Sequence, residues 1–153
     1  MRRVHKEIDI GAPPGRVWEV FTDVSSFPSW NPFIRKFEGD LVPGEKVRVT
    51  LAMGRRLMHF RPEVTVVRPP REIRWLVRQP IPGIFDVERA FEFEPSGESS
   101  TRFAQWEIGR GLLAPLIMAI MGPKIAQGYV ALGHALRARV EAALLEAEVQ
   151  AEP

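Results

Sequence analysis

Hydrophobic and polar residues alternate along most of the chain up to residue 108, with the period of two that is typical of β-strands burying one face. The alternation predicts a first strand over 4–10 and, after a helical segment, a run of six strands over 33–38, 46–51, 57–67, 73–78, 85–94 and 101–108. Short segments rich in proline and glycine separate these strands. Because connections of turn length join neighbouring strands directly, the sheet is predicted to be antiparallel.

Two segments follow the helical period instead. Pro13 and Pro14 suit a first helical turn, and Val17, Phe21 and Val24 then share one face. At the C-terminal end, 113–121 is strongly apolar and Gly122-Pro123 is expected to interrupt or kink the helix. Apolar residues then recur at steps of three and four, which predicts a helix of about six turns: Ile125, Tyr129, Leu132, Leu136, Val140 and Ala143.

This order predicts an α+β fold, a curved antiparallel sheet wrapped round a long C-terminal helix with room for a cavity between them. The length of 153 residues is that of one domain, which we place at 1–147. The tail at 148–153 loses apolar content and is expected to fray.

Composition removes several classes of function. There are no cysteines, which excludes disulfides, thiolate metal sites and a cysteine nucleophile. The net charge is only +2, and the 17 arginines account for a pI near 9.4, so nucleic-acid binding is not expected. No long apolar run and no signal peptide are recognisable, so we expect a cytoplasmic protein without stable membrane insertion.

The segment 27–32 places two large aromatic rings between prolines in a predicted loop. Phe27 and Trp30 either form a lid at the mouth of a pocket or anchor the loop onto the edge of the sheet. The first interpretation is slightly favoured, because a rigid loop positions rings at low entropic cost.

Arg89 lies on the apolar face of its predicted strand, between Val87 and Phe91. If 95–100 closes a hairpin, Arg89 falls opposite or diagonal to Gln105 and Glu107 on the next strand. Because a buried charge without a partner is costly, we predict an Arg89–Glu107 ion pair with little access to water. The pair either orients a ligand oxygen or is a purely structural ion pair that closes one end of the curved sheet.

The remaining candidates are apolar residues that face the predicted cavity from the sheet and the helix, where core packing is the default role of any one of them. The hydroxyl of Tyr129 would need a partner. The complete set of predicted ligand-binding residues is Trp30, Met58, Phe60, Trp75, Phe85, Arg89, Phe91, Gln105, Glu107, Met118, Met121, Ile125 and Tyr129.

Other chemistry is weakly represented. His5, His59 and His134 are all expected on the surface, and their spacing does not suggest a metal site. No phosphate-binding loop or nucleophile elbow is present. Seven arginines fall on the outer face of the sheet or in turns, interleaved with glutamates, which favours a solvated surface over a nucleic-acid interface: Arg48, Arg55, Arg56, Arg61, Arg71, Arg74 and Arg78.

Several short motifs, in this order and spacing, resemble the START-like, or SRPBCC, superfamily, and within it the polyketide cyclase/dehydrase-like group of small bacterial proteins. They are 12–18, Asp23, 27–32, 43–45, 60–62, 73–75, 82–86, 101–103, Gln105, Glu107, 111–113 and the C-terminal helix. The resemblance implies the helix-grip fold, a deep pocket for an apolar or aromatic molecule, and no cofactor. It does not fix a reaction, because the superfamily includes transport proteins, cyclases and hydroxylase domains.

One position departs from that group, whose members usually carry histidine where this chain has Arg89, within 85–89. Histidine can shuttle protons near neutral pH and arginine cannot. Our first hypothesis is therefore a protein that binds a small hydrophobic molecule. The second is a cyclase or dehydratase with Glu107 as base and Arg89 stabilising an oxyanion. The third is a non-catalytic partner domain whose groove takes a protein or a lipid tail. Separately, a homodimer is one expected oligomeric state.

Overall fold

Eight strands, two α-helices near the N-terminus and one long C-terminal helix build the part of the chain that the computed structural model describes, residues 2–151. In chain order they are β1 (Arg2–Ile10), α1 (Pro14–Thr22), α2 (Phe27–Trp30), β2 (Ile34–Glu38), β3 (Arg48–Met53), β4 (Arg56–Phe60), β5 (Glu63–Arg68), β6 (Glu72–Arg78), β7 (Asp86–Gly97), β8 (Ser100–Arg110) and α3 (Ala114–Ala151). A short 3₁₀ turn, Val24–Ser26, joins α1 to α2.

The strands form two antiparallel sheets, one in the order β1-β8-β7-β6-β5 and one in the order β2-β3-β4. The single strand predicted over 57–67 is wrong, because Arg61 and Pro62 divide it into β4 and β5, which belong to different sheets. Pro62 has no N–H for a strand ladder, and its carbonyl instead accepts a hydrogen bond from the Val47 N–H. Seven strands therefore follow α1 in the described chain, not six.

The segment predicted as a loop over 27–32 contains the short helix α2. Pro28 is compatible with it because the first helical turn does not need its N–H. The buried Asn31 ends the helix, and its Oδ1 accepts hydrogen bonds from the N–H groups of Phe33 and Ile34 at 3.0 and 2.8 Å. This side chain fixes the entry into β2.

Helix α3 is continuous over 38 residues, and Pro123 lies inside it rather than at a break. Five of its six predicted core positions are buried, and Ala143 alone is exposed. The helix continues to Ala151, so fraying is not observed for 148–151, and 152–153 lie outside the described residues.

By length and composition alone, α3 could cross a membrane, although no long apolar run was recognised in the sequence. One such helix is weak evidence, since core helices of globular domains pass the same criterion. In this structure α3 packs against β1, because Gly122 and Gly133 allow close contact with Val4 and Ile8.

A cluster of aromatic rings fills the space between α1 and the middle of β7 and β8. Phe21 lies 4.8 Å from Phe91 and 5.7 Å from both Phe93 and Phe103, measured between ring centroids. All four rings are buried. Because this part of the interior is solid, any cavity must lie further along β7 toward its start.

Candidate functional site

A cavity of about 330 Å³ lies between the two sheets and the N-terminal half of α3. All but three of its lining residues are apolar, and they come from β3, β4, β6, β7, β8, α3 and adjoining loops: Val49, Leu51, Met53, Met58, Phe60, Pro62, Trp75, Val77, Gln79, Phe85, Val87, Arg89, Glu107, Ile117, Met118, Met121 and Ile125. Every methionine of the chain except Met1 is in this set. Flexible thioether side chains can repack round ligands of different shape.

The exposure of the lining residues shows where the cavity opens. Gln79, just after β6, is exposed, and Met58 on β4 and both Ile117 and Met121 on α3 are half-buried. We call this side the opening. Arg89 and the residues opposite it on the two adjacent strands, Trp75 and Glu107, are buried and form the inner end.

The predicted ion pair is confirmed at that inner end. Arg89 and Glu107 are directly opposed in the β7–β8 register, and the Arg89 Nη2 donates to Glu107 Oε2 at 3.2 Å. Both side chains are less than a tenth exposed. Burial by itself lowers the pKa of Arg89, but the negative charge of the adjacent Glu107 outweighs it, so that this pKa lies above its ordinary value. The guanidinium is therefore charged at any physiological pH.

Not every buried polar group in this part of the protein has a hydrogen-bond partner. The Arg89 Nε, the Tyr129 hydroxyl and the Gln105 Oε1 are buried without a hydrogen-bond partner. The guanidinium lies 5.4 Å from the Phe33 ring and 5.6 Å from the Tyr129 ring, so both rings lie beside the ion pair. Burial raises the pKa of the Tyr129 hydroxyl far above its ordinary value, and Arg89 offsets only part of this effect. Tyr129 is therefore a neutral donor.

The sequence matches the family model described as polyketide cyclase / dehydrase and lipid transport over residues 1–141. The chain belongs to this family. No curated protein matches it.

Solved structures of similar sequence length show that this family member has the helix-grip fold, as predicted. The Zhui aromatase/cyclase from Streptomyces sp. R1128 has a TM-score of 0.73 and 19% identity, over 92% of this chain and 93% of that one. A START superfamily protein from Mycobacterium smegmatis has a TM-score of 0.67 and 21% identity, over 91% and 97%. Norcoclaurine synthase from Thalictrum flavum has a TM-score of 0.68 and 18% identity, over 91% and 92%. Identities this low show the fold alone.

In this family member, the cavity brings together most of the residues predicted to line it: Met58, Phe60, Trp75, Phe85, Arg89, Glu107, Met118, Met121 and Ile125. Phe91, Gln105 and Tyr129 do not line it. Phe91 belongs to the aromatic cluster, at 5.1 Å from Trp75. Gln105 lies behind the cavity wall, where its Nε2 donates to the Tyr129 carbonyl at 2.8 Å.

Trp30 is not at the opening either. Its ring packs edge-on against Phe27 at 5.6 Å, and its Nε1 donates to Ser26 Oγ at 2.9 Å. It lines a separate surface groove between α1, α2 and the far part of α3, beside Arg139. The lid interpretation is therefore wrong for this side chain, and the aromatic pair packs the α2 segment onto the fold.

Eight lining residues were not among those predicted, and five of them lie on strands: Val49, Leu51, Met53, Pro62, Val77, Gln79, Val87 and Ile117. Alternation in β3 placed Val49 and Leu51 on an inner face, which could have found them. His5, His59 and His134 are exposed, as predicted. Within residues 2–151, no group of three acidic or histidine side chains is placed to hold a metal ion.

Proposed function

We propose that this protein binds a small amphipathic molecule, with its apolar body in the cavity and one polar oxygen at the Arg89–Glu107 end. The observation that carries the proposal is the combination of an apolar cavity with the buried Arg89–Glu107 pair in its lining, where the Arg89 Nε lacks a hydrogen-bond partner. A size of about 330 Å³ is at the lower end of the range for small-molecule pockets.

The inner end supports a ligand oxygen more than a purely apolar ligand. A buried donor without a partner costs roughly 1–3 kcal/mol, and a water or a ligand atom removes that penalty. Arg89 lines the cavity and keeps an unused Nε, while Glu107 holds the guanidinium in a fixed orientation. A carbonyl, hydroxyl or carboxylate oxygen of the ligand is the complementary group.

Met121→Trp tests the cavity as the binding site. A larger ring at this half-buried position beside the opening should fill the space, and we expect binding of 1-anilinonaphthalene-8-sulfonate to weaken about tenfold or more. This probe has an aromatic body and one anionic end, and its fluorescence reports binding. Val130→Trp, on the exposed face of the same helix, is the matched control and should bind like the wild type. Equal affinities in the two variants would contradict the proposal.

An enzymatic function is the second candidate, because Glu107 and Arg89 both line the cavity. In a cyclisation, Glu107 would take a proton from a methylene between two carbonyls and Arg89 would stabilise the resulting enolate oxygen. The enolate carbon would form a bond to a second carbonyl carbon, whose oxygen would then receive the proton from Glu107.

Glu107→Gln separates this candidate from simple binding, since the amide keeps the size of the side chain and an acceptor for Arg89 but removes the base. If the protein cyclises a linear poly-β-ketone, the rate should fall by about 10²–10⁴-fold. Glu88→Gln, a half-buried partner of Arg110 outside the cavity lining, is the control. An unchanged rate in Glu107→Gln would remove the enzymatic candidate.

A further inference from the structure

Exposed apolar side chains lie beside the opening of the cavity, on the β6–β7 connection and on 112–120, and we call them the mouth patch: Ile81, Leu112, Leu113, Leu116 and Ile120. Leu116 and Ile120 are 60% and 65% exposed and lie directly beside the cavity-lining Ile117 and Met121 on α3. Large apolar side chains grouped in this way on a surface mark an interaction site.

The backbone ties the parts of the mouth patch together. The N–H groups of Leu112 and Leu113 donate to the carbonyls of Gly83 and Ile84, both at 2.9 Å, which joins the β6–β7 connection to the start of α3. On the other side of the opening, Gly54 in the β3–β4 turn lies next to the Lys124 side chain of α3. The patch is therefore one surface built from two segments, with the basic β3–β4 turn beside it.

The charges around the mouth patch are of one sign. Segments 54–62 and 108–125, which adjoin the opening, contain five lysines and arginines and no carboxylate. In the β6–β7 connection, 79–85 is uncharged and follows Arg78. The nearest acidic residue on β7 is Asp86, which lies between Arg78 and Arg110 in the strand register. Because the whole chain has a net charge of only +2, this is a local concentration of positive charge.

We infer that the mouth patch docks on a membrane surface containing anionic lipids, with the cavity opening turned toward the bilayer. Exposed leucine and isoleucine side chains flanked by basic residues are the composition that binds at the lipid interface, where the apolar groups enter the headgroup boundary and the cations meet anionic headgroups. The docking does not depend on the proposed function. If that function also holds, an apolar ligand could pass between bilayer and cavity without crossing water.

Co-sedimentation with vesicles tests the inference. We expect the wild-type protein to bind vesicles of phosphatidylcholine mixed with phosphatidylglycerol more strongly than vesicles of phosphatidylcholine alone, and to lose binding as salt rises. Leu116→Ser with Ile120→Ser should weaken binding about tenfold. The matched control is Leu145→Ser with Val149→Ser, at 62% and 65% exposure near the far end of the same helix, which should bind like the wild type.

A second variant keeps the test decisive if the apolar pair disturbs folding. Arg55→Glu with Arg56→Glu, in and beside the exposed β3–β4 turn, should also weaken binding to anionic vesicles about tenfold or more. Absence of vesicle binding by the wild type would overturn the inference and favour a protein partner, and equal loss in the patch and control pairs would overturn it too. The dye affinity in solution, measured on the same samples, reports separately on the proposed ligand site.

Discussion

Arg89→Met is expected to lower the free energy of unfolding by about 3–5 kcal/mol, because it leaves the Glu107 carboxylate buried without its partner. The double variant Arg89→Met with Glu107→Leu removes both charges, and its stability should return to within about 1 kcal/mol of the wild type or exceed it. Urea unfolding followed by tryptophan fluorescence measures these differences, since the chain has four tryptophans.

The same substitution at an exposed ion pair provides the control. Arg102 lies 3.7 Å from Asp9, and both side chains are more than half exposed. Arg102→Met should therefore change stability by less than about 1 kcal/mol. A loss of unfolding free energy in Arg89→Met as small as that in Arg102→Met would contradict the burial of the Glu107 carboxylate that the structure shows.

The double variant also separates the two interpretations of the pair. If Arg89 orients a ligand oxygen, the stable double variant should bind the anionic dye about tenfold more weakly or worse, because a hydrogen bond to a charged group is lost. If the pair is purely structural, the affinity should not change. Stability and affinity thus give independent answers for one pair of residues.

Gly128→Ala is the second substitution with a large expected effect. An added Cβ would lie 2.5 Å from Phe33 Cε1 and closer still to its Cδ1, and Phe33 is fully buried. Alanine gains about 1 kcal/mol in helix propensity, but overpacking a core of this density typically costs 1–3 kcal/mol or more, and contacts this short belong at the upper end. We expect a net loss of about 2 kcal/mol.

Gly122→Ala is the matched control in the same helix. Its added Cβ would meet only Val4 Cγ2, at 3.7 Å, which is an ordinary contact. We expect this variant to be as stable as the wild type or more stable by up to about 1 kcal/mol. Thermal unfolding of both variants measures the contrast, and a stabilised Gly128→Ala would show that Phe33 can move away from α3.

The position of Phe33 connects this prediction to the site. Its ring lies edge-on to Tyr129 at 5.6 Å and 5.4 Å from the Arg89 guanidinium. A shift of Phe33 would disturb the groups at the inner end of the cavity. Gly128→Ala should therefore weaken dye binding as well, whereas Gly122→Ala should not.

The sequence alone determined the features that depend on local period and short connections. The 3.6-residue stripe of Ile125, Tyr129 and Leu132 identified the buried face of α3, because helical geometry fixes which residues share a side. The Arg89–Glu107 pair followed because a short hairpin between β7 and β8 fixes their register, and a buried charge requires a partner.

Only the tertiary structure decided where these elements stand relative to one another. Alternation continues across Arg61-Pro62, so the sequence could not show that β4 and β5 belong to different sheets. Arg89 and Phe91 share one strand face, yet only Arg89 meets the cavity, because α1 fills the interior beside Phe91. Trp30 lies in a groove away from the opening, where it packs against Phe27. The spacing of apolar residues along a strand or helix predicts which face a side chain lies on. Only long-range packing determines which other elements that face contacts.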